Sequence, residues 1–403
     1  MAIIFGKENC KKMKKSFLLI TALIFIVSHQ LWSQIPQLSD KSEISVLTIG
    51  PGDELYSKFG HSAIRVKDPV SRIDWVFNYG TFDFNTPHFY LKFIKGKLNY
   101  MLSVQSFRGF YYEYKAEKRS VYEQVLDLSY DQKKKIFDFL LWNAQPENRY
   151  YLYDFLYDNC ATRVRDVIKN QLGDSLIMPN HPLNLTFRKA FLSYVDNQPW
   201  LKIGINLLNG MEADKKLDLY HAMFLPDYVD TVMSMSSLKM PGNNKKPLVK
   251  EGHYIYRFDR NGSKNPWIKP WLVFGLLLLL VIWVSVWEYR HLSRKKWIDF
   301  LTFFITGLAG TILLGLWLLT DHLVAKNNLN ILWLFPLHLI YAFFVIKEKP
   351  AQWVKLYANI MRYYYLLFLV AIPFLPQYID YNFIPIILII LIRLQVIKSS
   401  IKQ

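Results

Sequence analysis

The chain has 403 residues, of which 52% are hydrophobic, 16% aromatic and 20% charged, with a formal net charge of +17. The apolar share is high for a soluble protein and is concentrated after Trp267, which excludes a wholly soluble enzyme and points to a folded part followed by a membrane part. The positive charge forms no basic tract with interleaved stacking residues and sits beside apolar segments, so anionic headgroups rather than nucleic acid account for it.

In chain order, KKMKKSFLLITALIFIVSHQLWSQ opens with four lysines before the apolar run Phe17–Val27 and the small or polar residues Ser28 and Ser33. That layout reads as a signal peptide over residues 1–33, too short in its apolar run to be a comfortable span and cleaved near Ser33–Gln34, with an uncleaved anchor as the alternative. An exported domain over 34–262 follows. ISVLTIG (44–50), HSAIRVK (61–67), IDWVFNY (73–79), KLNYMLSVQ (97–105) and SVYEQVLDL (120–128) read as strands, with Pro51-Gly52-Asp53 and Asp68-Pro69 as turns. Ser129 is placed to cap a helix whose apolar face is Ile136, Phe137, Leu140 and Leu141, ended by Pro146. A tyrosine-rich connector, RYYLYDFLYD, leads to a second helix, NCATRVRDVIKNQL, closed by Gly173. Residues 180–240 read as helical and PGNNKKP (241–247) as a flexible linker. The expected class is α+β with a small antiparallel sheet.

Residues 263–403 form the second part, an all-α bundle of about five helices. Its apolar segments are 270–287, 297–319, 329–346, 357–376 and 383–397, the last being short and carrying Arg393. The loops between them alternate in charge: EYRHLSRKK holds four Lys/Arg, TDHLVAKNNLN one, KEKPAQWVK three and PQYIDYN none. Basic loops face the cytoplasm. The domain before the first span is then outside, in agreement with the signal, and the C-terminus is cytoplasmic.

Once the signal is removed with Cys10, Cys160 is the one cysteine left, and no internal disulfide can form. Asn159 is a good N-cap, which puts Cys160 at the first position of a helix, where the partial positive charge favours thiolate and the backbone N–H groups can meet an oxyanion. A packed small hydrophobe is the alternative. A thiol nucleophile needs a base. Among His61, His88, His181, His221 and His253, His61 stands out because it follows Gly60 and opens a strand. Asn78 is the candidate third residue to orient the imidazole, with Asp83 as fallback. Tyr79 is its neighbour on the opposite face, and Arg65, Arg163 and Arg165 are candidates for a phosphate, with a solvated helix face as the plain alternative for the last two. No metal set and no cofactor motif is visible. Asp321-His322 lies at the outer end of a span.

GPGDELYSKFGHSAIRV (50–66), FNYGTFDF (77–84) and YDFLYDNCATRVRD (153–166) resemble the signature blocks of the Lnb family of bacterial lipoprotein N-acyltransferases, and NLNILWLFPLH (328–338) is similar to that family's membrane part. The layout is also similar to the circularly permuted papain-like group that includes lecithin:retinol acyltransferase. The resemblance implies that Cys160 is the nucleophile and His61 its base, with a membrane phospholipid as acyl donor and a diacylated lipoprotein as acceptor at the bacterial inner membrane. Tyr79, Arg65 and Arg163 remain candidate substrate-binding residues. Three alternatives stay open. A cell-wall thiol peptidase or amidase would use the same dyad, a phospholipase would replace the acceptor amine by water, and a non-catalytic assembly factor would keep its function in Cys160→Ser.

Overall fold

The computed structural model describes residues 36–259 and 267–400. The expected signal peptide, with Cys10, and the expected domain boundary near 262 lie outside the described residues.

One antiparallel sheet organises the first part. Its strands are β1 (Glu43–Ile49), β2 (His61–Asp68), β3 (Ile73–Thr81), β4 (Asn99–Ser106), β5 (Val121–Leu126), β6 (Tyr150–Leu152) and β7 (Val249–Tyr256). They lie in the order β7-β5-β1-β2-β3-β4-β6. Side chains alternate between the faces, as strand geometry dictates. Ile44, Val46, Ile64, Val66, Phe77 and Tyr79 pack toward α3 (Tyr130–Asn143) and α4 (Cys160–Leu172). Leu47, Ile49, Ala63 and Val76 pack on the other face, against Phe110 and Tyr114 of α2 (Phe107–Ala116). Both faces are therefore buried in the middle of the sheet, which holds β2 and β3 rigidly.

Local chemistry starts the two long helices where expected. Ser129 and Gln132 form a reciprocal capping box at α3, and Asn159 and Thr162 form one at α4. Each cap is worth about 1 kcal/mol.

The α+β class with an antiparallel sheet is as expected, and the sheet has seven strands. Several other expectations need correction. Two of the strands escaped the sequence pattern: β6 is three residues inside the tyrosine-rich connector, and β7 (VKEGHYIY) has an exposed edge whose polar and glycine content hides its pairing with β5. Residues 180–240 are not simply helical. They hold short strands at Pro182–Thr186, Lys216–Asp218 and Ser237–Lys239 besides α5 (Pro199–Leu208) and α6 (Pro226–Met235). PGNNKKP is no free linker either. Lys245–Pro247 pairs with Ser237–Lys239, and the next residue, Leu248, is fully buried as the chain returns to the sheet.

Among the described residues of the second part, five helices are long and apolar enough to cross a membrane: Pro270–His291, Lys296–Leu319, Leu323–Val345, Gln352–Phe374 and Tyr381–Ser399. The third is not continuous. It runs through short turns at Leu323–Ala325 and Leu329–Leu332 and becomes regular α-helix only at Leu337–Val345, after Pro336. Its side chains explain the break, because Asn328 and Asn330 donate to the Leu207 carbonyl at the end of α5. Arg393, the awkward residue of the last span, is fully buried and paired with Glu288 (2.5 Å) and Asp299 (2.7 Å) from the first two spans.

The two parts are locked together. Asn206 donates to Asp380 (2.8 Å), Gln377 to the Asn209 carbonyl and the Gly210 amide to the Val324 carbonyl. A side chain at Gly210 would collide with the Lys326 carbonyl, its Cβ lying 2.0 Å away, so glycine is what permits this approach. Arg188, buried, braces the junction from Asp214 to the carbonyls of Asn209 and Gly210. The region 180–240 thus mounts the sheet domain on the bundle.

Candidate active site

Cys160 is the first residue of α4, the one free cysteine among the described residues, and a partly exposed residue. Asn159 holds the helix start tightly. Its Oδ1 accepts the Ala161 and Thr162 amides, and its Nδ2 donates to the carbonyls of Phe155 and Phe224. The thiol is thus presented from a fixed helix end that carries partial positive charge.

His61 opens β2, directly after Gly60, whose φ of +80° and crowding against the Ile49 carbonyl suit only glycine. The β2–β3 register sets Ile64 against Phe77 and Arg65 against Val76. Continued to the strand end, it brings His61 opposite Gly80 and makes Asn78 its diagonal neighbour on the same face. His61 Nε2 is hydrogen-bonded to Asn78 Oδ1, and Tyr114 stacks on the imidazole.

Gly80 is where thiol and imidazole meet. A Cβ built there would lie 3.6 Å from the Cys160 Cβ and 4.0 Å from the His61 Cε1, and the residue has φ +87°. The absent side chain leaves the space in which α4, coming from one face, reaches the histidine on the other.

The electrostatics follow from this contact. Burial pushes the Cys160 thiol up, but the His61 charge, a hydrogen bond to it and the Ser62 and Ala161 amides outweigh burial, and the net shift is downward from 9.0. Burial likewise works against a charged His61. The Cys160 charge, hydrogen bonds to Cys160 and Asn78 overcome it, and the net shift is upward from 6.5 despite the repelling Arg119. Each group favours the charged form of the other, which is the condition for a thiolate–imidazolium pair.

These residues line a cleft of about 460 Å³. Its wall includes Phe82, Phe84 and Phe93 on one side and Tyr114 and Arg119 on another. The cleft thus joins an aromatic wall to the thiol–imidazole pair and to charged side chains that include Glu113, Glu117 and Arg119.

Of the other expected residues, Tyr79 also borders the cleft and the rest are placed elsewhere. Arg65 does not line the cleft. It is buried under α2, paired with Asp74 (2.8 Å) and Glu123 (3.0 Å) and stacked 3.3 Å over Phe107. All its directions are in use, so no phosphate can reach it. Arg163 is paired with Asp158 and lies over the Tyr151 ring, and Arg165 is paired with Asp166. Tyr79 borders the cleft, but its ring is buried on the α3 face and its hydroxyl donates to Asn143 (2.6 Å). Asp83 caps its own turn by accepting the Asn85 amide. His88 is exposed with φ +57°, His181 and His221 contact only local groups, and His253 sits near Glu123. His322 contacts the Phe93 carbonyl, and Asp321 pairs with Lys97. Among the described residues no group of three or more His, Cys, Asp or Glu is placed to hold a metal.

Sequence reasoning missed four neighbours of the pair. Gly80 is one; its signal was a glycine inside a strand pattern. Tyr114 and Arg119 are two more, brought in by the reversal after β4. Arg119 bonds the Gly50 carbonyl and Glu117, while its Nη2 has no hydrogen-bond partner. The fourth is Tyr151, whose buried hydroxyl also lacks a partner and lies 3.9 Å from the Cβ position of Gly80.

Residues 32–190 match the Lnb N-terminal periplasmic domain family, and residues 262–403 match the Lnb transmembrane domain family. No curated protein and no solved structure matches the chain.

Proposed function

The chain belongs to the Lnb family, a membership that supports a lipoprotein N-acyltransferase-like role, and on that premise we propose a ping-pong acyl transfer through Cys160. The observation that carries the proposal is the meeting of a helix-start thiol and a strand-borne imidazole at Gly80, inside a cleft mounted on a membrane bundle. The Cys160 thiolate attacks an ester carbonyl of a membrane phospholipid. The C–O bond breaks, and the leaving lysophospholipid alkoxide takes the proton held on His61. The Cys160 backbone amide, which the Asn159 cap does not engage, is suited to receive the tetrahedral oxyanion. The free α-amine of a diacylglyceryl-cysteine lipoprotein then attacks the thioester. The C–S bond breaks, an amide forms, and the amine proton passes to His61. Asn78 holds the imidazole through Nε2 and favours its charged form. The role of Asn78 is that of a positioning residue.

A multi-span anchor fits this chemistry better than wall-peptide hydrolysis, because both substrates reside in the bilayer. The alternating basic loops favour an inner-membrane location with the sheet domain periplasmic and the C-terminus cytoplasmic. The test is mass spectrometry of the N-terminal peptide of a native lipoprotein. Cells lacking this protein would be complemented with the wild type, Cys160→Ala or His61→Ala. Restoration of the amide-linked acyl chain by the wild type alone is the expected outcome. An acylated N-terminus in every strain would overturn the reading.

A further inference from the structure

We propose that residues 82–97, the segment after β3 with its short helix α1 (Phe89–Ile94), form a rim inserted into the outer face of the bilayer, through which an acyl chain reaches Cys160. The inference deepens the acyl-transfer reading and rests on it for its second half, the passage of the chain.

The first observation is exposure. No residue of α1 is buried. Tyr90 is 77% exposed and Phe84 70%, and Leu91, Phe93 and Ile94 are exposed beside them. This is one contiguous apolar patch, because Phe82, Phe84, Phe89 and Phe93 stack on one another at 5.0–6.3 Å. Such a patch on a folded domain marks an interaction surface.

The second observation identifies the occupant. The segment is bonded to the outer end of the second span. The Asp321 amide donates to the Lys95 carbonyl (2.9 Å), and His322 Nε2 lies 3.0 Å from the Phe93 carbonyl. Gly96, at φ +68°, permits this closeness, since a Cβ there would sit 3.2 Å from the Asp321 backbone. The second span ends at Leu319, and both Leu318 and Leu319 are exposed, as lipid-facing residues are. Hydrocarbon therefore extends to within a few residues of the α1 tether. Lys95 and Lys97 are exposed at the same level, where anionic headgroups lie. An aromatic, apolar and lysine-bearing segment held at that height fits a lipid surface.

The third observation links the rim to the chemistry. Phe82, Phe84 and Phe93 line the same cleft as Cys160 and His61. One continuous aromatic wall thus runs from the bilayer side of α1 to the thiol.

Two measurements on the full-length chain in phosphatidylethanolamine/phosphatidylglycerol vesicles test this. In the first, spin labels at Tyr90→Cys, Ile94→Cys and, as control, Glu147→Cys are placed in a Cys10→Ser, Cys160→Ala background. Labels at 90 and 94 should collide more with oxygen than with an aqueous nickel complex, and the label at 147 the reverse. Nickel-dominated collisions at 90 and 94 would overturn the insertion. In the second, Tyr90→Ser, Leu91→Ser and Ile94→Ser are combined with Cys160 intact. Acylation of Cys160 from vesicle phospholipid should fall on the order of tenfold, while acylation by water-soluble p-nitrophenyl butyrate should change by less than about twofold. Equal effects on both substrates, or none on either, would overturn the access role, leaving a peptide partner as the occupant of the patch. A wild-type chain acylated by neither substrate would instead sink the acyl-transfer reading, while the label data would still decide insertion.

Discussion

Two regions of the molecule withdraw charged groups from water and treat them in opposite ways. In the bundle, Arg393 is fully buried and saturated. Its Nε meets Asp299, its Nη1 and Nη2 meet Glu288, Ser285 adds a further contact, and Arg294 takes the other oxygen of Asp299. In the cleft, Cys160 and His61 have each other, one asparagine and backbone amides, while Arg119 Nη2 and the Tyr151 hydroxyl have no hydrogen-bond partner. A closed network fixes helices in one arrangement and has no capacity for a newcomer. An open one beside a cleft can take new atoms, and unmet polar capacity is costly enough to need a reason. The same contrast separates Arg65 from Arg119, which look alike in sequence.

The sharpest break between the regions is the proposed nucleophile itself. Cys160→Ala and His61→Ala should each lower acyl-enzyme formation on the order of 10³-fold or more. Neither should lower the thermal midpoint in detergent appreciably, since neither empties a saturated network. Arg393→Met should do the opposite. It strands Glu288 and leaves Asp299 with Arg294 alone, and should destabilise by about 3–5 kcal/mol, read as a lower midpoint, with the activity per folded molecule retained. Adding Glu288→Gln and Asp299→Asn should recover much of that loss. If Arg393→Met leaves the midpoint unchanged, the cluster is not the brace described.

A smaller effect sharpens the cleft side through pH. The Cys160 pKa is lowered, so its alkylation by iodoacetamide should begin at lower pH than for a free thiol. His61→Ala removes the charge and the hydrogen bond that lower it, so the onset should move to higher pH. The His61 pKa is raised, partly by Asn78. Asn78→Ala should therefore lower it, shift the alkaline limb of acylation toward lower pH and cost about tenfold in rate. Arg119 works against the imidazolium, and Arg119→Leu should move the same limb upward. Shifts of the same sign in both variants would contradict the charge arrangement.

What the sequence disclosed and what it concealed follow one rule. The placement of Cys160 at a helix start and of His61 at a strand start was legible because the signals are local: an Asn cap before a helix, a glycine before a strand. The capping boxes at Ser129 and Asn159 were legible for the same reason. Arg65 was misleading because its partners come from other strands, Asp74 from the adjacent β3 and Glu123 from β5, two strands over and 58 positions away. The strand β7 was hidden because its pattern is that of an exposed edge and its partner β5 lies over a hundred residues earlier. The broken third span read as one apolar run, since hydropathy does not register that Asn328 and Asn330 bond a carbonyl of another domain. Gly80 falls between these cases. Its residue type was visible, but its meaning depends on the register that sets it opposite His61.

That residue supplies the smallest and most local prediction. A methyl group at Gly80 would sit 3.6 Å from the Cys160 Cβ, an ordinary contact, so Gly80→Ala is not excluded by space. Its cost lies in the backbone, because φ of +87° disfavours any L side chain by about 1–2 kcal/mol. A drop in midpoint of a few degrees with acylation within about tenfold of wild type is the expected result. Gly80→Leu is a different experiment. Its side chain would extend into the gap between thiol and imidazole, so acylation should fall as far as in His61→Ala, and the onset of Cys160 alkylation should move to higher pH because the imidazolium no longer reaches the sulfur. A Gly80→Leu chain that folds and still acylates at the wild-type rate would mean that the two groups do not react across this glycine. The contrast between an open cleft and a closed bundle would then lose its centre.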